Sequence, residues 1–88
     1  MQRAEILDKA LSCVCGQRQE DYGTPERSFD TIASLWSVYL RTNVSARDVA
    51  AMLILLKVAR VSSGKPHIDS WIDIAGYAAC GGEIESEV

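Results

Sequence analysis

Two carboxylates, Asp69 and Asp73, lie four residues apart in a segment that otherwise has the composition of a buried apolar helix. Residues at i and i+4 share one face of a helix, about one turn apart. Asp73 stands between Ile72 and Ile74. Burying a carboxylate is costly unless a cation, a metal ion or hydrogen-bond donors compensate it. We therefore expect this pair to mark the place where the chain does its chemistry.

Two cations are candidates to compensate these carboxylates. Lys57 and Arg60 are three residues apart and share a face of the preceding predicted helix. If that helix packs antiparallel to the helix of Asp69 and Asp73 across the short loop between them, the cations approach the carboxylates. The cluster then fits two interpretations: a buried set of ion pairs that fixes helix register, or a polar site that handles a charged ligand.

A second acid pair, Glu26 and Asp30, has the same spacing of four at the start of another predicted helix. A solvated first turn is the simpler interpretation. The alternative is a second carboxylate pair that faces Asp69 and Asp73 across the bundle, as a shared Mg²⁺ site needs. Asp48 does not join this group, because at nine residues before Lys57 it points to the opposite side of the helix, where we interpret it as a cap.

The remaining candidates lie mainly in loops. Arg18 can bind phosphate, and it precedes a turn that contains Tyr22 and Gly23. His67 is the only histidine, and neither a second histidine nor a serine–acid set completes a nucleophilic triad with it. The two tryptophans, Trp36 and Trp71, are interpreted as core or interface residues.

Apolar spacing predicts four helices, and no segment alternates as a strand does. We expect an all-α fold, a compact bundle of about four helices, in a single domain over residues 1–88. The predicted helices span about 3–15, Pro25 to near Arg41, a segment capped by Ser45 that ends at 62–64, and about 68–80, where Gly81 and Gly82 stop the last helix. The third helix is apolar on every side, which predicts a central, surrounded helix. Residues 83–88 are expected to be a frayed acidic tail.

The composition of the chain indicates which kinds of partner to expect. The chain has 88 residues, 48% of them hydrophobic. A chain of this size buries only somewhat over 60% of its unfolded surface, so we expect a homo-oligomer. The net charge is −3, and without Glu83, Glu85 and Glu87 the nine remaining acids balance nine bases. This balance argues against nucleic-acid binding, which needs a basic excess.

The cysteine count and the apolar runs of the sequence indicate the cellular compartment. Three cysteines, an odd number, argue against a disulfide framework and for a reducing compartment. No apolar run approaches the ~20 residues that span a bilayer, and the first residues do not form an apolar signal segment. The expectation is a soluble, cytoplasmic protein without a membrane partner.

Several segments together resemble a family of small phage and prophage proteins catalogued as a domain of unknown function. They are Arg18-Gln19-Glu20-Asp21-Tyr22-Gly23, Phe29 with the segment 32–36, the segments 48–50 and 55–60, and Asp69-Ser70-Trp71-Ile72-Asp73-Ile74-Ala75-Gly76-Tyr77. The resemblance covers nearly the whole chain. One departure is Ser28, where relatives usually carry Asn before the phenylalanine.

More distantly, the D-Y-G loop and the D-x-x-x-D-x-A-x-Y helix are similar to those of the MazG-like, all-α nucleotide pyrophosphohydrolases. This resemblance implies an oligomeric helical bundle that grips a nucleoside phosphate with Mg²⁺. Those enzymes hold the metal with E-x-x-E and E-x-x-D motifs. Here the pairs Asp69/Asp73 and Glu26/Asp30 are four residues apart rather than three, a departure that weighs against hydrolysis more than against nucleotide binding.

Three hypotheses follow. The first is a protein that binds, and in an infected or lysogenic bacterium sequesters, a phosphorylated nucleotide or nucleotide-derived signal. Its predicted ligand-binding residues are Arg18, Tyr22, Gly23, Lys57, Arg60, Asp69, Asp73 and Tyr77. The second is a Mg²⁺-dependent pyrophosphohydrolase whose metal ligands would be Asp69, Asp73, Glu26 and Asp30. The third is a structural interaction protein whose buried ion pairs specify assembly.

Overall fold

A computed structural model describes residues 1–16 and 25–86, without the side chains of Pro25 and Glu26. These residues form four α-helices and no strand, which confirms the predicted all-α fold. The helices are α1 (Arg3–Cys15), α2 (Pro25–Leu40), α3 (Ala46–Val61) and α4 (Ile68–Ser86). None of the described helices combines the length and apolarity needed to cross a membrane.

Helices α3 and α4 form the centre of the fold. They run antiparallel, because Lys57 contacts Asp73 near one end of the pair while the Cβ of Ala50 lies close to Gly81 near the other. Helix α1 packs on α4, and α2 packs mainly on α3. The buried core lies where α2, α3 and α4 meet and comprises Phe29, Ala33, Val44, Val49, Ala50 and Cys80.

The turn between α2 and α3 is held by side chains. The Ser37 hydroxyl donates to the Ala33 carbonyl at 2.7 Å and accepts from the Val44 amide at 2.9 Å. The chain reverses through Arg41, whose φ of 56° lies in the left-handed region. These contacts seat the buried Val44 side chain in the core just before α3 begins.

Helix α3 begins with the predicted cap. The Ser45 amide donates to Asp48 Oδ2 at 3.0 Å, and the Asp48 amide donates to Ser45 Oγ at 3.1 Å. This reciprocal arrangement satisfies two backbone donors that would otherwise lack a partner at the helix start. The sequence-based interpretation of Asp48 as a capping residue is confirmed.

The predicted end of the last helix is wrong. Helix α4 continues through Gly81 and Gly82 to Ser86, so residues 83–86 are helical rather than frayed, while 87–88 lie outside the described residues. The packing of Ile84 against the core accounts for the extension, and Glu85 also pairs with Arg47 at 3.2 Å at the surface. Gly81 serves close packing, since a Cβ there would lie 3.2 Å from the Ala50 Cβ.

The expectation that α3 is surrounded is also not met within one chain. Its inner side packs against α2 and α4 and includes the fully buried Val49. Its outer side remains exposed, although it carries large apolar residues such as Met52, Leu55 and Leu56. The four described helices leave this side of α3 uncovered.

Candidate ligand-binding site

The Lys57–Asp73 ion pair is the centre of the candidate site. Lys57 Nζ lies 2.9 Å from Asp73 Oδ2, with the two side chains 13% and 32% exposed. The pair forms because α3 and α4 are antiparallel neighbours across the short connection 62–67. The predicted approach of Lys57 to Asp73 is therefore confirmed, and it explains how a carboxylate is tolerated between Ile72 and Ile74.

Tyr77 lies one turn beyond Asp73 on α4 and is half-buried. Its ring is tilted by 52° against that of Phe29 on α2, with 6.4 Å between the ring centroids. On the preceding residue, a Cβ added to Gly76 would lie 3.1 Å from Val14 Cγ1 on α1. Both α1 and α2 thus reach α4 at this one turn, which adjoins the ion pair.

The segment between α1 and α2 connects two helices that both touch α4 at this turn. Val14 lies in the last turn of α1, just before Gly16, the last described residue ahead of the connection, and Phe29 lies in the first turns of α2. The predicted ligand residues Arg18, Tyr22 and Gly23 belong to this connection and lie outside the described residues.

Arg60 and Asp69 complete the predicted cluster in sequence but do not pair in the structure. Both side chains are exposed at the end of the α3–α4 hairpin. Lys57–Asp73 and Arg47–Glu85 are ion pairs within 4.0 Å, whereas neither Arg60 nor Asp69 has such a partner among the described residues. The site is therefore half-buried around Lys57 and open towards Arg60 and Asp69.

The predicted carboxylate set is not gathered into one place by the residues that the structure describes. Asp30 is exposed on α2, Asp69 is exposed on α4, and the Glu26 side chain lies outside the described part. Within that part, no group of three or more His, Cys, Asp or Glu side chains is arranged to hold a metal ion. The Asp73 carboxylate already faces an ammonium group, which competes with any cation for it.

Two further candidates have local roles. Hydrogen bonds from Ser45 hold the pKa of Asp48 below its usual value, because they stabilise the charged carboxylate at the start of α3. His67 Nε2 lies 3.1 Å from Ser63 Oγ in the exposed α3–α4 connection. Of the tryptophans, Trp36 packs against the core and Trp71 is exposed.

One contact at the site escaped sequence reasoning. The ring contact between Phe29 and Tyr77 links α2 to α4. Phe29 lies in the sequence before α2 residues 32–36 and Tyr77 among the predicted ligand-binding residues of α4, and nothing in their spacing indicates that the two meet. Two aromatic residues on different helices, each near the same predicted cluster, are the only signal that could have suggested it.

The described geometry can be compared with known proteins. The family "Domain of unknown function (DUF6378)" matches residues 5–85. The chain is 44% identical over 82 residues to the Gene 55 protein of Mycobacterium phage D29, which is 93% of this chain and 54% of that protein. It is 45% identical over 74 residues to the Gene 55 protein of Mycobacterium phage L5, which is 83% of this chain and 47% of that protein. The chain thus spans about half the length of these relatives. No solved structure matches it.

Proposed function

The chain belongs to the DUF6378 family and is similar to two phage proteins, and on that premise we propose that it binds a small phosphorylated nucleotide. The ligand would be held at the α3–α4 site, defined here as Lys57, Arg60, Asp69, Asp73 and Tyr77. Binding would sequester the nucleotide in the cytoplasm of an infected or lysogenic bacterium. Arg18, Tyr22 and Gly23 are proposed to adjoin the ligand from the connection between α1 and α2.

The observation that carries this proposal is the half-buried Lys57–Asp73 pair. A lysine ammonium has three N–H donors, and Asp73 is its one ion-pair partner among the described residues. A second anion can therefore bind Lys57 without displacing Asp73. Because the ammonium is largely shielded from water, its attraction to a phosphate is stronger than that of a fully exposed lysine.

The open end of the site adds a second cation. Arg60 is exposed, three residues after Lys57 on α3, and has no carboxylate within 4.0 Å among the described residues. A guanidinium group binds phosphate oxygens through two parallel hydrogen bonds. Lys57 and Arg60 together supply what a phosphorylated ligand requires, one from inside the site and one from its rim.

The acidic and aromatic residues suit the rest of a nucleotide. Asp69 is exposed and can accept hydrogen bonds from ribose hydroxyls or from base N–H groups. Tyr77 is half-buried against Phe29, which fixes its ring and offers a rigid apolar surface to a base. A site that combines two cations, carboxylates and an aromatic ring favours a nucleotide over inorganic phosphate alone.

The test is a nucleotide panel applied to the purified protein with and without Mg²⁺, following thermal stability and product release together. At least one phosphorylated nucleotide should raise Tm without being consumed. Arg60→Met should weaken its binding at least tenfold, since this exposed side chain contributes little to the fold. Lys65→Met, which removes a lysine from the nearby exposed connection, should change affinity less than twofold.

The remaining outcomes decide between the alternatives. Pyrophosphate released only with Mg²⁺, and lost in Asp73→Asn, would identify a MazG-like pyrophosphohydrolase instead of a binder. A folded protein that responds to no nucleotide, or that binds equally well after Arg60→Met and Lys57→Met, would refute a nucleotide site built on these residues.

A second candidate function is favoured by a different observation. Large apolar side chains are exposed on α1, α2 and α3, including Leu7, Leu35 and Leu55. Exposed apolar surface of this kind is typical of proteins that assemble with a partner. In this alternative the chain is a structural interaction protein, and the Lys57–Asp73 pair only fixes the register of α3 against α4. A homo-oligomer is proposed under either function.

A further inference from the structure

The outer side of α3 is a continuous apolar surface. It comprises Ala51, Met52, Leu55, Leu56, Val58 and Ala59, all of them exposed, and is called here the α3 outer face. The four larger side chains are between 39% and 64% exposed. The only polar residue between Asp48 and Arg60 in sequence is Lys57, which points inward to Asp73. Three turns of solvent-facing helix therefore carry no polar side chain.

The other exposed apolar residues form smaller patches. On α1, exposed Leu7 and Leu11 share a face that exposed Asp8 borders. On α2, exposed Leu35, Val38 and Tyr39 share a face that is bordered by exposed polar residues of the same helix. Small apolar patches among polar residues are ordinary on protein surfaces, whereas a longer contiguous patch marks an interaction site. The α3 outer face is thus the strongest candidate for contact with another protein.

The chain exposes more surface than a compact monomer of its mass. Such a monomer of 9.6 kDa exposes about 5,100 Å², whereas this chain exposes 6383 Å². Its radius of gyration is 13.6 Å, against about 12 Å for a compact domain of this length. The exposed apolar side of α3 contributes to this difference.

Apart from Leu56, whose counterpart Ile54 is half-buried, the order of residues on this face is self-complementary. Counting outward from Leu55 in both directions, Met52 corresponds to Val58, Ala51 to Ala59 and Asp48 to Ser62. If two copies packed antiparallel across a two-fold axis, large side chains would face large ones, small side chains small ones, and polar side chains polar ones. The alanines permit close approach of the helices, and the polar residues would form the rim of an otherwise apolar interface.

We propose that a second copy of this chain covers the α3 outer face, with the two α3 helices antiparallel across a two-fold axis at Leu55. Such an interface is isologous, so each face supplies both halves of every contact. The antiparallel arrangement also opposes the two helix dipoles favourably. Lys57 projects from the opposite side of α3, so the α3–α4 site stays open in the dimer and this inference does not rest on nucleotide binding.

The first test measures mass in solution. The wild-type protein should have twice the 9.6 kDa mass of one chain by light scattering at micromolar concentration. Leu55→Arg should shift it to the monomer, because two cations would meet at the axis. Leu7→Arg is the matched control, since Leu7 is 63% and Leu55 64% exposed, and it should remain dimeric.

The second test maps the symmetry axis and keeps the fold intact. In a chain with Cys13→Ser and Cys15→Ser, both exposed positions, Leu55→Cys should form an intermolecular disulfide under mild oxidation at least tenfold faster than Leu7→Cys. A disulfide requires Cα atoms within about 7 Å, which residues beside a two-fold axis can satisfy.

Three results would overturn the proposal. They are a wild-type protein that stays monomeric at every concentration, a dimer that Leu55→Arg does not dissociate while remaining folded by circular dichroism, and equal oxidation rates of Leu55→Cys and Leu7→Cys. The first would leave the face to a different protein or to a further segment of chain. The other two would place the contact between copies elsewhere.

Discussion

At the scale of single residues, two ion pairs join the same two helices in different surroundings. Lys57–Asp73 is half-buried, whereas Arg47–Glu85 is exposed, with side chains 68% and 64% exposed. Shielding from water strengthens an ion pair and makes removal of one partner costly. An exposed pair is screened by water and salt and contributes little. The molecule thus contains its own comparison of the two cases.

Double-mutant cycles should separate these pairs. The coupling between Lys57→Met and Asp73→Ala is expected to be about 1–2 kcal/mol, between the values for buried and exposed pairs. The coupling between Arg47→Met and Glu85→Ala is expected to be about 0–0.5 kcal/mol and to vanish in high salt. Urea unfolding at low and high salt measures both. Equal coupling energies would contradict the assigned difference in shielding.

Asp48 predicts how stability depends on pH. Its pKa is lowered in the folded protein, first by the backbone hydrogen bond from Ser45 and then by the Ser45 side chain. A carboxylate with a lowered pKa stabilises the fold above its unfolded pKa, near 3.8, and loses that contribution as pH falls through the folded pKa. Wild type should therefore exceed Asp48→Asn in stability at neutral pH, and the difference should be lost as pH falls below 3.8 and through the lower folded pKa.

Acid unfolding midpoints followed by circular dichroism from pH 2 to 7 would check this expectation. Asp8→Asn, an exposed aspartate of α1, serves as the control and should leave the profile unchanged. A difference between wild type and Asp48→Asn that persists at pH 2 would mean that the carboxylate charge is not what stabilises the start of α3.

At the scale of secondary structure, the two adjacent glycines of α4 have opposite surroundings. A Cβ at Gly82 would meet nothing within 4 Å, whereas a Cβ at Gly81 would lie 3.2 Å from the Ala50 Cβ. The Ala50 Cβ is fixed to its backbone and cannot rotate away, so an added methyl group must separate α3 from α4. Glycine is thus a packing requirement at 81 and only a conformational cost at 82.

Alanine substitutions should therefore differ in sign. Gly82→Ala is expected to raise the free energy of unfolding by about 0.5–1 kcal/mol through helix propensity. Gly81→Ala should be less stable than Gly82→Ala by at least about 1 kcal/mol because of overpacking. Thermal and urea unfolding of the two variants give the comparison. If both stabilise the protein equally, the helices are not in close contact at Ala50.

The helices show which signals a sequence carries and which it does not. The ends of α1, α2 and α3 were predictable because capping residues, proline and the end of each apolar pattern act locally. The end of α4 was not, because Gly81 and Gly82 have the local signature of a stop. Their helical state depends on tertiary contacts, namely the close approach of Gly81 to Ala50 and the packing of Ile84 in the core.

The same distinction applies to the candidate site. The approach of Lys57 to Asp73 was predicted as part of a cluster with Arg60 and Asp69, because helix spacing and one antiparallel hairpin decide whether the two helices bring them together. Arg60 and Asp69 lie on the same helices yet remain exposed and unpaired with each other. Helix periodicity shows only which residues lie on roughly the same face. It does not determine which exposed side chains at the edge of that face come within hydrogen-bonding distance.

At the scale of the whole molecule, the apolar composition of α3 exceeds what its burial within one chain requires. An all-apolar helix predicts burial on every side, and one chain buries only one side of α3. If a second copy covers the outer face, as inferred above, unfolding is coupled to dissociation. Tm should then rise with protein concentration for the wild type and for Leu7→Arg, but not for Leu55→Arg. Differential scanning calorimetry over a hundredfold concentration range would reveal a dependence or its absence.

The hydrogen bonds of Ser37, which link α2 to Val44 before α3, have a consequence for local opening of the bundle. The Val44 amide lies outside any helix, yet it donates to the Ser37 hydroxyl, which itself donates to the Ala33 carbonyl. The Ser37 side chain thus stabilises the α2–α3 turn through hydrogen bonds, as backbone hydrogen bonds stabilise a helix. The rate of amide hydrogen exchange at Val44 then depends on the opening of the α2–α3 turn rather than on the fraying of either helix. Replacing Ser37 by alanine would speed exchange at Val44 while leaving both helices formed.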